Sequence, residues 1–206
     1  MNLTIIIIII TAVTSFIAFG NQPAFYKMKF NAYLIHHNQQ WHRFFTYALI
    51  HADWMHLLVN MFVLWSFGSL VEQLFQVNFA ERATFYYLLL YVGGVLFSTL
   101  PSYGKHKNND FYNAVGASGA VSAVLFSSII MYPQGTIIFL FLPFPIPAWI
   151  FGILYLVYSA YMARRGSDNI GHDAHFWGAV YGVVFTIALN PSFFPEFFRN
   201  ILGYEI

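Results

Sequence analysis

Cysteine is absent from the 206-residue chain, so disulfides, thiolate nucleophiles and Cys-type zinc sites are excluded together, while the compartment is left open. Charge is scarce too: Asp, Glu, Lys and Arg make up 8% of the residues, against about a quarter in soluble domains. The formal net charge of +1 offers no basic field for nucleic acid, so the polar groups that matter act locally rather than by steering. No stretch is polar for long enough to fold as a separate head, and apart from Ile5–Ile10 there is no low-complexity segment, internal repeat or linker. What fills the chain instead is apolar surface, with 59% hydrophobic and 21% aromatic residues and a mean hydropathy of +0.61. These place it in a bilayer as a single domain over residues 1–206, an all-α, polytopic membrane protein whose partners are lipids and other membrane segments.

Six apolar stretches divide the chain. The first, residues 3–19, contains six consecutive isoleucines and no charge. Ala18-Phe19-Gly20 has the small residues of a cleavage site. No Lys or Arg precedes the run, however, and it exceeds the about 7–15 residues of a signal core, so it reads as a retained anchor. Residues 21–52 form a long aromatic loop, lying partly in the membrane, whose Trp41, Phe44, Phe45 and Tyr47 suit headgroup level. Further spans are expected at residues 54–74, 84–100, 115–131, 147–162 and 174–189. Between them lie a short turn at Gln76–Arg82, a hydrophilic loop at Pro101–Asn113 and a polar loop at Arg164–Asp173. Pro143, Pro145 and Pro147 each remove an amide donor. Residues 136–146 are therefore expected as an extended interfacial entry, with Pro147 in the first turn of the fifth helix, where a missing N–H costs least. Asn190-Pro191 closes the last span before an aromatic tail.

Spans 2, 4 and 6 of such a chain all start on one side of the membrane. His51, His56 and Asn60 stand at the start of span 2, Ser118 at the start of span 4 and His175 at the start of span 6. A serine hydroxyl is a poor nucleophile until a base takes its proton, and a neutral imidazole is the usual base. Ser118 and His175 supply that pair. A tetrahedral oxyanion then needs preorganised donors, and His56, Asn60 and the Ser118 backbone N–H are candidates. His56 and Asn60 are four apart and share a helix face. No carboxylate suits a third catalytic position, because Asp173 points away from His175 on a helix and Asp53 fits an interfacial or capping role. A Ser–His dyad is expected. Gly119 with Ala123, and Gly178 with Gly182, are small-xxx-small pairs that let spans 4 and 6 approach, while Gly116 and Gly119 free the backbone around the serine. Each feature alone has a plainer reading as packing or interfacial chemistry. His36, His37, His42, His106 and His172 read as loop histidines, and Arg164-Arg165 as a headgroup contact.

Together these residues resemble the rhomboid intramembrane serine proteases over about residues 41–190. The resemblance rests on Arg43 with Thr46, His51 followed by His56 and Asn60, Gly68 with Glu72, Gly116-Ala117-Ser118-Gly119-Ala120, and Ala174-His175 followed by Gly178 and Gly182. It implies a six-transmembrane-helix bundle, of the bacterial six-helix type, that cleaves membrane-anchored proteins in or beside their transmembrane segments. By the same resemblance Ser118 is the nucleophile and His175 the base, with His56, Asn60 and the Ser118 amide as oxyanion hole. His51 is in a supporting place, no metal or organic cofactor is required, and residues 21–52 form a partly embedded hairpin loop. The fifth helix and the loop after it would flank the substrate entrance. The expected location is a bacterial inner (plasma) membrane with the site facing outward.

Three departures qualify the likeness. Ser122 stands where family members often carry an aromatic ring that packs on the catalytic histidine, so orientation of His175 depends on another ring, Trp177 or one from span 5. His42 separates Trp41 from Arg43, which the family commonly has adjacent. Lys27, Lys29, Arg43, Lys105, Lys107, Arg164 and Arg165 fall on the active-site side and only Arg82 and Arg199 on the other, a bias that the positive-inside rule would turn to the cytoplasm. Two other readings compete: a non-catalytic relative that binds membrane clients, and a metal transporter or metalloprotease using His51, His56 and His175. The latter lacks both a His-Glu-x-x-His motif and a lining of carboxylates. Substrate identity and oligomeric state are not encoded in any motif.

Overall fold

The structure, a computed structural model, describes residues 2–139, 142–166 and 170–203. Parts of the expected interfacial entry (140 and 141) and polar loop (167–169) lie outside the described residues. The chain is mostly helical. Among the described residues, two helical runs are long and apolar enough to cross a membrane, Leu3–Gly20 and Trp54–His106, and a bent pair, His172–Leu189 with Phe193–Leu202, makes a third. The run from Trp54 is not one rod. Ala80, at φ +48°, breaks it, and Gly68 on one arm lies against Tyr87 on the other, so the two arms fold back on each other.

Helix α1 (Leu3–Gly20) is followed by three short helices, α2 (Gln22–Met28), α3 (Ala32–Asn38) and α4 (Arg43–Thr46), within the expected loop. Buried Arg43 ties this loop together, donating to the carbonyls of Tyr26 and Lys29 and to Gln40 Oε1, while the Thr46 hydroxyl donates to Met28 O. Burial lowers the Arg43 pKa, and burial followed by the Arg43 charge lowers that of Lys29. Tyr47 fastens the loop to the bundle by donating to Val95 O at 2.7 Å.

Helix α5 (Trp54–Val63) passes through a π-turn at Leu64–Gly68 into α6 (Ser69–Phe79), and α7 (Ala83–His106) returns alongside it. The pairing of Gly68 and Glu72 has a structural explanation here. A Cβ on Gly68 would lie 2.6 Å from Tyr87 Oη and 2.8 Å from Thr4 Cγ2, so glycine lets α1 close in. One turn on, the Glu72 carboxylate accepts from the N–H groups of Leu3 and Thr4 and from the Thr4 hydroxyl. An anion thus caps the N-terminus of α1, where backbone donors lack partners in the helix. The expected hydrophilic loop at 101–113 begins late, since α7 continues through Pro101 to His106.

Helix α8 (Ser118–Met131) is the axis of the molecule, with every residue from Gly119 to Ile130 buried. After it, β1 (Thr136–Phe139) and β2 (Leu142–Pro147) pair antiparallel, with Ile137 opposite Ile146. The extended entry is therefore a small hairpin, and the all-α expectation is amended to that extent. A two-stranded ribbon has outward edges, so prolines missing a donor are tolerated. Helix α9 (Ala148–Arg165) starts directly after Pro147, which caps it rather than entering its first turn. Helix α10 (His172–Leu189) packs on α8, and α11 (Phe193–Leu202) turns away from it by 108°. His172 is not a loop residue as expected. It opens α10 and is buried, with its ring near those of Tyr158 and His175.

Candidate active site

The starts of α5, α8 and α10 meet at one end of the bundle. Asp53 caps α5 by accepting from the His56 N–H at 2.8 Å, which sets His56 in the first turn and Asn60 one turn deeper. The Asn60 amide donates to the His56 carbonyl at 2.8 Å, engaging one of its two N–H groups. His56 lies against the turn that opens α8. Gly116 there has φ +109°, a conformation L side chains rarely adopt, and a Cβ on it would sit 2.5 Å from His56 Cε1. Glycine is required at this position both by the turn and by the imidazole beside it.

His51 supports that turn from behind. Its ring meets that of His56 edge-on at 4.9 Å, and it is fully buried. Ser15 of α1 donates to Leu49 O, so it accepts from His51 Nδ1 at 3.0 Å, which leaves Nε2 to accept from the Ala117 N–H at 3.4 Å. This pattern needs a neutral ring, and burial, helped by the neighbouring His56, lowers its pKa to about 3 against the opposing pull of Asp53. The Gly116 N–H donates to Tyr47 O, fixing the same turn from the loop side. Ser118 then begins α8, half-buried, where the first backbone N–H groups of a helix have no partner within it.

Helix α10 brings His175 to this place by close backbone approach. A Cβ on Gly178 would fall on the Gly119 carbonyl and 3.0 Å from Gly119 Cα, and one on Gly182 would meet the Ala123 carbonyl in the same way. At the other side of the turn, a Cβ on Gly119 would lie 3.3 Å from Ala174 O, the residue before His175. The turn carrying His175 is therefore packed against the turn carrying Ser118. Deeper down, the Thr186 hydroxyl, which is shared with the Gly182 carbonyl, donates to Ser127 Oγ at 2.8 Å and ties the same two helices.

A model of the rhomboid domain matches residues 38–192. The chain belongs to the rhomboid family. That family includes intramembrane serine proteases acting on membrane-protein substrates. Among similar proteins, the mitochondrial RHOMBOID-like protein 12 of Arabidopsis thaliana is 28% identical over 156 residues, covering 69% of this chain and 45% of its own. The mitochondrial Rhomboid protein 1 of Saccharomyces cerevisiae is 30% identical over 140 residues, covering 67% and 39%. The human mitochondrial presenilin-associated rhomboid-like protein is 29% identical over 143 residues, covering 65% and 34%. The chain thus spans between about a third and under half of the length of these curated relatives. All three carry mitochondrial names, so they lend no support to the expected bacterial membrane.

Of the other expected loop histidines only His42 is in a loop: His36 and His37 lie in α3 and His106 ends α7, because helices form within the stretches expected as loops. His36 contacts the Tyr103 hydroxyl, His42 the Lys27 carbonyl, and His106 stacks on Tyr112 at 3.8 Å. Asp173 pairs with Lys105 at 3.8 Å across the ends of α10 and α7, consistent with an orientation away from the site. Arg164 and Arg165 are exposed at the end of α9. Trp177 is exposed, and the rings beside His175 are that of His172, edge-on at 5.8 Å, and that of Tyr155 on α9, more nearly parallel at 6.2 Å. Ser15, the partner of His51, carries no distinguishing signal in the sequence, being a lone serine in an apolar helix. Among the described residues, no three His, Cys, Asp or Glu side chains converge as a metal-ligand set.

Proposed function

We propose that this chain is an intramembrane serine endopeptidase that cleaves membrane-anchored proteins in or beside their transmembrane segments. The observation that carries the reading is the convergence of three helix starts: His56 against Gly116, and the turn of Ala174 and Gly178 against Gly119. In this reading Ser118 is the nucleophile, His175 the general base, and His56, Asn60 and the Ser118 amide the oxyanion donors. The chain forms one six-span domain, multi-pass in its membrane, in contact with lipids and transmembrane substrates, and needs no cofactor. Family membership supports the reaction class.

The chemistry follows in order. An intact substrate helix keeps its carbonyls bonded, so the segment first unwinds locally, which small or helix-breaking residues favour. Ser118 Oγ attacks the scissile carbonyl as His175 takes the hydroxyl proton. The oxygen that gains charge is met by fixed donors, each worth about 2.7–4 kcal/mol of barrier. His175 returns the proton to the leaving amine and the C–N bond breaks. Water then attacks the acyl-enzyme with His175 again as base, releasing the new carboxyl end and restoring Ser118.

Labelling with a fluorophosphonate tests the assignment. Wild-type protein in detergent should be labelled at Ser118, Ser118→Ala should not, His175→Ala should be labelled far more slowly, and chelators should change nothing. No labelling of the wild type would favour a client-binding relative without catalysis, and chelator sensitivity would favour a metal-dependent one.

A further inference from the structure

Ser122 follows Ser118 by one helical turn and therefore projects on the same side of α8. Its hydroxyl lies 2.6 Å from Tyr155 Oη of α9. The ring of Tyr155 lies in turn 6.2 Å from that of His175, with the two planes inclined by 27°. Phe126 and Phe151 also pack on Tyr155, with ring centres at 5.5 Å and 5.7 Å. A serine on α8, a phenol on α9 and an imidazole on α10 thus form one chain of contacts across three helices.

We propose that Tyr155 is a positioning residue for His175, and that its bond to Ser122 is the latch that holds it in place. The proposal rests on His175 being the general base. An imidazole delivers a proton along one direction, so rotation about its side-chain bonds removes it from the reaction without removing it from the site. A flat ring packed nearly parallel to it blocks that rotation, and aromatic pairs favour such offset stacking. The hydroxyl of Tyr155 is held by Ser122, which fixes the ring in two dimensions where packing alone would let it slide.

The latch also links the base to a helix at the edge of the bundle. Of the 18 residues of α9, only Ala148, Gly152 and Ser159 are buried, while Ile153, Leu154, Val157, Tyr158 and Tyr161 are exposed. Orientation of His175 then depends on α9 being docked.

The test separates folding from orientation. The endpoint of fluorophosphonate labelling counts intact sites, whereas its rate, and kcat per labelled site, report how well the base is aimed. Tyr155→Leu keeps apolar bulk but removes ring and hydroxyl, and should slow both about tenfold, part of the about 10²–10⁴-fold that a positioned base contributes, with KM nearly unchanged. Tyr155→Phe and Ser122→Ala break the same bond, so each should slow the enzyme a few-fold and the double variant no more than either alone. A Tyr155→Leu protein at the wild-type rate per site would overturn the positioning role, and independent effects in the double variant would overturn the latch. Should Tyr155→Leu give few intact sites, wild-type rates in both Tyr155→Phe and Ser122→Ala would overturn the proposal. A His175→Ala protein at the wild-type rate would sink the general-base reading instead.

Discussion

At the scale of single residues, the site depends on groups that hold other groups. His51 touches neither Ser118 nor His175 in any contact described above, yet it accepts from the Ala117 N–H and so sets the turn from which Ser118 emerges. Its neutral state has a consequence for stability. A histidine whose pKa is lowered on folding contributes stability above its unfolded value and loses it as pH falls toward the folded one. With His51 lowered from 6.5 to about 3, thermal stability in detergent should decline as pH drops below about 6.5. His51→Gln should show a shallower decline, and an identical pH slope in the two proteins would contradict the assignment. The residue types at the site were legible because serine, histidine and asparagine are rare polar choices in apolar spans. The partners of His51 were not, because Ser15 and Ala117 carry no distinguishing chemistry until the chain folds.

At the scale of elements, the close contact of α8 and α10 is the feature on which the site's geometry rests. Glycine at 178 and 182 lets backbone meet backbone, and a methyl group at either would strike the carbonyl of Gly119 or Ala123. Gly178→Ala and Gly182→Ala should each lose about 1–3 kcal/mol of stability by overpacking. Gly178→Ala, nearer Ser118 and His175, should also cut the labelling rate of Ser118. Thermal unfolding and labelling on the same samples would check this, and unchanged values at both positions would count against the packing account. The Gly-xxx-Gly spacing on α10 announced this contact. The extended course of residues 136–146 was announced by its prolines, but its pairing as a hairpin, the helices inside residues 21–52 and the extension of α7 past Pro101 were not. Short apolar runs fit helix and strand alike, and a proline near a helix end removes a bond from a turn that other contacts can still hold.

At the scale of the whole molecule, sequence order alone sorts His56, Asn60, Ser118 and His175 to one end of the bundle, and the helix starts do meet there. At the other end, Glu72 caps α1 and Gly68 admits Tyr87 and Thr4, so α1 is fastened at the end remote from Ser118. Glu72→Gln should therefore lower thermal stability while leaving kcat per labelled site near the wild-type value, and a selective loss of kcat would contradict that division. The sequence narrowed the ring for His175 to Trp177 or one from span 5, but not to Tyr155, which is more than thirty positions from Ser118 and is brought to His175 only by packing. The central claim is that Ser118 and His175 together cut membrane-anchored proteins. The most direct measurement incubates the detergent-purified protein with a panel of single-span substrates, maps each cut by mass spectrometry, and repeats it with Ser118→Ala and His175→Ala. Cuts in or beside the transmembrane segment, abolished in Ser118→Ala and lost or nearly lost in His175→Ala, are the predicted result. Cleavage at wild-type rates by either variant would contradict it.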